Sequence, residues 1–180
     1  MPFLDGSKSV SASLAHRERL AGGANLNGLR VLVVDDEVDT RQLLKTALSK
    51  QGARVSTAPS ATAALRLISR VKPDVLISDI GMPGVDGYEL MRRVRLLPKA
   101  RGGAVPAVAL TAYAREIDRQ RALHAGYQTY LAKPVELSEL SLTVANLVGS
   151  VTHNGNLKSS QNHLRERRGT ITRHEALSVK

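Results

Sequence analysis

An α/β fold, with one parallel five-stranded sheet covered by helices on both faces, is what this 180-residue sequence predicts. Strand-like and helix-like stretches alternate strictly, five of each, a pattern that favours parallel strands joined by helical crossovers. The first strand is an unbroken apolar run that ends abruptly in three acids, "VLVVDDE", as a buried strand does when it reaches a sheet edge. The composition is 42% hydrophobic but only 3% aromatic, so the core between the layers has to be aliphatic. Crossovers of this length are right-handed.

The elements follow in order. Arg30–Val34 is the first strand, and Val38–Lys50 the first helix, with Leu43, Leu44, Ala47 and Leu48 on one face and Gly52 beyond its end. Ala53–Thr57 is a weaker second strand. Ser60 caps a helix reaching Val71, whose Ala61, Ala64, Leu65 and Ile68 fall at helical spacing. Pro73 precedes the third strand, Asp74–Ser78, and the Gly/Pro-rich "DIGMPGVDG" leads into a helix over Tyr88–Leu96. Pro98, Gly102 and Gly103 mark a loop before the fourth strand, Val105–Leu110, where Pro106 is tolerable only near the start. Ala112–Ala125 is helical and stops at Gly126, a good residue for the left-handed turn after a helix. Tyr127–Leu131 is the fifth strand, and Glu136–Val148 the last helix, with Leu137, Leu140, Val144 and Leu147 facing inward.

Three segments follow from composition: a Gly/Ser/Ala/Asn-rich flexible leader over 1–27, with one short helical stretch from about Ser11 to Leu20; a folded domain over 28–150; and a basic tail over 151–180, expected to be disordered. The absence of Cys excludes disulfides and thiolate zinc sites. No apolar run approaches the roughly 18–20 residues of a membrane span, and the N-terminus lacks the apolar stretch of a signal peptide. A cytoplasmic protein with no membrane contact is the expectation. The net charge of +10 is densest in the tail. Its cluster of Arg165, Arg167 and Arg168 reads as a solvated segment rather than a nucleic-acid site, since no aromatic follows Tyr130 to stack on bases.

In open parallel sheets, ligands bind beyond the carboxyl ends of the strands. Those ends carry Asp35 and Asp36 after the first strand, Asp79 after the third, Thr111 after the fourth, and Lys133 with Pro134 after the fifth. Three carboxylates at one edge cannot all stay ionised without a counter-charge. A hard divalent cation answers this, and Mg²⁺ (or Mn²⁺) suits a few carboxylates while keeping waters that a phosphoryl oxygen can replace. One carboxylate can then act as nucleophile and become an acyl phosphate, with Lys133 and Thr111 holding phosphoryl oxygens. Glu37 is not needed in this cluster and reads as a cap for the following helix. An Asp-x-Asp phosphatase pattern fails, because Glu37 and Val38 occupy the third positions. His16 has no phosphodonor pattern around it, and His124, His153, His163 and His174 show no metal-ligand grouping.

The motifs "VLVVDDE", "DVLISDIGMPGVDGYEL", "ALTAY" and "YLAKP", in this order, resemble the receiver domain of two-component response regulators over about Leu29 to Gly149. The resemblance implies a flavodoxin-like (βα)5 three-layer sandwich with strand order 2-1-3-4-5. It makes Asp79 the phosphoacceptor and places the metal among Asp35, Asp36, Asp79 and the backbone carbonyl of Gly81, with Asp36 a direct ligand and Asp35 helping through a metal-bound water. Lys133 corresponds to the phosphoryl contact, Thr111 and Tyr130 to the switch pair, and the Lys133–Pro134 bond to a cis peptide. It further implies a histidine kinase or histidine phosphotransfer protein as donor, a downstream protein partner met through the face of the fourth helix, fifth strand and fifth helix, and room for a phosphorylation-dependent dimer. It implies no enzyme beyond the domain's own phosphorylation and dephosphorylation. Small Ala112 leaves the site open to a donor histidine, Gly81 has no side chain to orient a hydrolytic water, and bulky Tyr113 shields the site, so slow dephosphorylation is expected. Val135, where DNA-binding regulators often carry an aromatic, and the stretch "LTAYAREIDRQRALHAGYQTYLAKPVE" are closest to receivers of hybrid histidine kinases.

Overall fold

The computed structural model of the chain describes residues 24–112 and 115–149. Five strands, β1 (Arg30–Val34), β2 (Arg54–Ala58), β3 (Val75–Asp79), β4 (Ala107–Thr111) and β5 (Thr129–Ala132), form one sheet in the order β2-β1-β3-β4-β5. All four pairings are parallel. Between them lie α1 (Val38–Lys50), α2 (Ala61–Val71), α3 (Gly87–Arg95) and α4 (Glu116–Ala125), and α5 follows over residues 137–149. This is the flavodoxin-like sandwich expected from the sequence.

Strand parity sorts the core into two halves. Leu32, Val34, Leu76, Ala107 and Ala109 meet α2, α3 and α4 through Ala64, Ile68, Leu90, Met91, Val94 and Ala122. Val31, Val33, Val75, Ile77, Val108 and Leu110 meet α1 and α5 through Leu44, Leu48, Leu140 and Val144. Every residue of β3 and β4 is buried, because both sheet faces are covered and neither strand lies at an edge. Each fully buried Leu, Ile or Val contributes roughly 1.5–3 kcal/mol.

Local chemistry sets the helix starts. The Ser60 Oγ accepts from the Ala63 N–H at 3.3 Å, as a capping serine should. Asp86 does the same for Glu89 at 2.7 Å, starting α3 at the end of the Gly/Pro loop. Gly126 takes φ 108°, closing α4 in the left-handed conformation that glycine adopts without strain.

Several boundaries differ from those read in the sequence. β2, β3, β4 and β5 begin one or two residues later than expected. Asp74 stays out of β3, bonded through its carboxylate to the Arg30 N–H at 2.9 Å and to the guanidinium at 2.8 Å. Pro106 has no N–H for the ladder and precedes β4, offering only its carbonyl to the Leu76 N–H. α4 starts at Glu116 instead of Ala112; Arg115 is still extended, and the acids Glu116 and Asp118 occupy the first turn. Folded structure also begins before residue 28. Leu26 is fully buried, and its N–H donates to the Gln51 carbonyl at 3.0 Å. The rest of the expected leader with its short helix, and the tail, lie outside the described residues, as does Tyr113. Among the described residues, no helix is long and apolar enough to cross a membrane.

Candidate functional site

The carboxyl edge of the sheet gathers four segments. Asp35 and Asp36 follow β1, Asp79 and Thr111 are the last residues of β3 and β4, and Lys133 follows β5. The Lys133 N–H donates to the Thr111 carbonyl at 2.7 Å, which carries the β4–β5 pairing up to the site. The Lys133–Pro134 peptide is cis. One carboxylate oxygen from each of Asp35, Asp36 and Asp79 lies within 4.8 Å of the others. Asp35 is fully buried and Asp79 nearly so, while Asp36 is exposed.

Lys133 reaches into this cluster. Its Nζ stands 3.0 Å from Asp35 Oδ2 and 3.2 Å from Asp79 Oδ1. Burial pushes the Asp35 carboxyl above its ordinary range, against hydrogen bonds from the Glu37 N–H and from Lys133. Burial opposes the Lys133 ammonium as well, but Asp35 and Asp79 outweigh it and hold its pKa up. A carboxylate buried among carboxylates, with one lysine to balance them, is short of positive charge.

That deficit fits a hard cation. Around Mg²⁺, with oxygen ligands at about 2.1 Å, neighbouring ligands stand about 3 Å apart and opposite ones about 4.2 Å. Three carboxylate oxygens within 4.8 Å of one another need only a small adjustment to such a spacing. The donor set is all oxygen, as Mg²⁺ and Mn²⁺ prefer. Gly81 is exposed beside it; a Cβ there would lie 3.7 Å from Asp79 Oδ2, an ordinary contact.

The cluster opens into a cleft of about 680 Å³ lined by Glu37, Asp79, Gly81, Thr111, Ala112 and Lys133, and farther out by Tyr88 and Arg121. Ala112 is exposed on its wall. Tyr130 is half-buried and packs against the core on the α2–α4 side. Asp35, Asp36, Asp79, Gly81, Thr111, Ala112 and Lys133 are therefore found along one sheet edge.

Some participants escaped the sequence reading. Arg41, one turn into α1, donates to the Asp35 carbonyl at 2.6 Å and so holds the backbone between the two acids. Its signal was an arginine closely following an acidic cluster. Glu37 stands at the start of α1 as expected, but its carboxylate accepts from the Thr40 hydroxyl at 2.8 Å and makes no cap to a backbone N–H. Arg121 lies over the Tyr88 ring, 4.7 Å from its centroid, at the outer cleft. Nothing in the spacing of those two residues announced the contact.

Comparison with known proteins adds a consistent set of relatives. Residues 31–145 match the family model described as the response regulator receiver domain. An uncharacterized 14.6 kDa protein from Leptolyngbya boryana is 56% identical over 110 residues, covering 61% of this chain and 82% of that protein. The sensor histidine kinase RcsC of Salmonella typhi is 35% identical over 139 residues, covering 77% of this chain but only 14% of the kinase. Among solved structures, the receiver domain of the sensor histidine kinase PA1611 from Pseudomonas aeruginosa, with magnesium coordinated in its active-site cleft, is 33% identical with a TM-score of 0.62. The match covers 68% of this chain and 98% of that one.

Proposed function

The chain belongs to the response regulator receiver domain family, and from that premise we propose that it takes a phosphoryl group from a phosphohistidine onto Asp79 and switches its α4–β5–α5 surface to regulate a partner. The observation that carries this reading is the Asp79 carboxylate at the mouth of an open cleft, 3.2 Å from the Lys133 ammonium and within 4.8 Å of two further carboxylates.

An Asp79 oxygen attacks the phosphorus as the P–N bond to the donor imidazole breaks, and the imidazole leaves with the bonding electrons. Negative charge on the phosphoryl oxygens is met by Lys133 and by the Thr111 hydroxyl. Mg²⁺ or Mn²⁺, held by Asp35, Asp36, Asp79 and the Gly81 carbonyl, supplies the remaining charge neutralisation when bound. Arg41 keeps the Asp35–Asp36 backbone in place for it. Ala112 leaves the approach open to a donor histidine on a kinase or a phosphotransfer protein.

Thr111 and Tyr130 form the switch: the hydroxyl moves toward the phosphoryl group and the half-buried ring turns inward. The surface affected includes Ile117 and Leu123, which α4 leaves exposed and which suit a downstream protein or a second phosphorylated copy. The chemistry acts on the domain itself, and Gly81 and Tyr113 make its reversal slow. The test is incubation with Mg²⁺ and acetyl phosphate, wild type against Asp79→Asn. Labelling of the wild type alone is expected; equal labelling of both removes Asp79 from this role.

A further inference from the structure

Behind Asp79, in the aliphatic core, two hydroxyls are buried that the reaction above does not use. Ser78 is fully buried and Tyr127 is 2% exposed. Burying a hydroxyl is unfavourable unless it is bonded, and both are. The Ser78 Oγ donates to the Asp79 carbonyl at 2.9 Å. The Tyr127 hydroxyl donates to the Gly87 carbonyl, 40 positions earlier in the chain, at 2.8 Å.

These two carbonyls mark the beginning and end of the loop that Asp79 opens. The loop is pinched there: the Gly87 N–H donates to the Ile80 carbonyl at 3.0 Å, and a Cβ at Gly87 would come within 2.4 Å of the Asp79 carbonyl oxygen. Burial pushes the Tyr127 phenol well above its ordinary pKa, so it stays a donor to the Gly87 carbonyl. Tyr127 lies two positions before β5 and three before Tyr130.

We propose that Ser78 and Tyr127 are positioning residues, two buried hydroxyls that grip the two ends of the pinched Asp79–Gly87 loop, fix the Asp79 carboxylate and tie it to the segment leading into β5. Together they provide a connection from Asp79 to Tyr130 separate from the one through Thr111. The inference rests on the reading of Asp79 as phosphoacceptor.

The test uses Mg²⁺ with beryllofluoride, a phosphoryl analogue, and reads its affinity by calorimetry and the displacement of the Tyr130 amide resonance on binding. Tyr127→Phe and Ser78→Ala each weaken binding about five- to tenfold, the effect of one hydrogen bond, and shrink the Tyr130 displacement. Val144→Ala, a cavity in the other half of the core, lowers the thermal midpoint but leaves the affinity within about twofold. Ser78→Ala keeps the question open to decision even where Tyr127→Phe fails to fold. Affinity and Tyr130 displacement unchanged from Val144→Ala would overturn the proposal. Beryllofluoride binding equally to wild type and Asp79→Asn overturns the phosphoacceptor reading instead.

Discussion

The Nζ of Lys133 is bonded to the Oδ2 of Asp35 at 3.0 Å, across 98 positions of chain, and Asp35 is the fully buried partner. The lysine is one-quarter exposed, so the pair is only partly shielded from solvent. Lys133→Met leaves two nearly buried carboxylates without their nearest cation. The expected loss is about 1–2 kcal/mol in urea unfolding without divalent metal, below the 3–5 kcal/mol of a fully buried pair. A variant as stable as wild type would show that the ammonium does not compensate Asp35.

Metal should restore what the carboxylate cluster lacks. A single Mg²⁺ site binding only the folded state raises stability by about 1.4 kcal/mol at ten times Kd. Differential scanning calorimetry across a Mg²⁺ titration should show a saturable rise for wild type and little for Asp36→Asn. Equal rises in both would remove Asp36 from the coordination.

The lifetime of phosphorylated Asp79 should be governed by the space over its carboxylate. A Cβ at Gly81 sits within ordinary contact distance of both Asp79 oxygens. Gly81→Asn combined with Tyr113→Glu adds polar side chains of the kind that can orient a water, and hydrolysis quickens by roughly an order of magnitude. Decay of the phosphorylated protein after removal of acetyl phosphate is the measurement; an unchanged half-life sinks the idea.

At the opposite edge of the sheet, Arg95 donates to the carbonyls of Gly126, Gly103 and Val105 at 2.7, 2.9 and 2.8 Å. Burial lowers its pKa, yet its planar fork serves three carbonyls at once, of which Gly126 also accepts from the Gln128 side-chain amide. Arg95→Lys cannot reach all of them. A destabilisation of about 1.5–3 kcal/mol is expected in chemical denaturation, with Arg95→Ala at least as large.

The Arg30–Asp74 pair should shape stability at acid pH. Hydrogen bonding from Arg30, against desolvation, holds the Asp74 carboxyl below its ordinary value. Its contribution is therefore complete above the unfolded carboxylate pKa of about 3.9 and disappears as pH falls through the lower folded value. Arg30→Ala should lower the urea midpoint at pH 7, and its difference from wild type should shrink as the solution is acidified through that range. A constant difference would mean that Asp74 does not feel Arg30.

Much of the site was legible because its residues sit at strand ends, and strand ends are visible as the place where an apolar run stops. Asp35, Asp36, Asp79, Thr111 and Lys133 were all found this way. The starts of the strands were not, since Asp74 and Pro106 look strand-compatible until the Arg30 bond and the missing proline N–H are considered. Ser78, Tyr127, Arg95 and Arg121 were read only as parts of strands or helices. Their partners lie about 30 to 40 positions away, or on the backbone, and carry no local spacing to betray them.

Ser78 and Asp79 are neighbours in β3 that follow opposite sides of the sheet, one with Leu76 toward α2–α4, the other with Val75 and Ile77 toward α1 and α5. The chemical identity of this edge is thus written in odd and even positions. Deleting one residue earlier in β3 would drive the charge of Asp79 into the buried place of Ser78, and inserting one would hand the carboxylate's berth to the serine. Length, as strictly as composition, is what this strand has to keep.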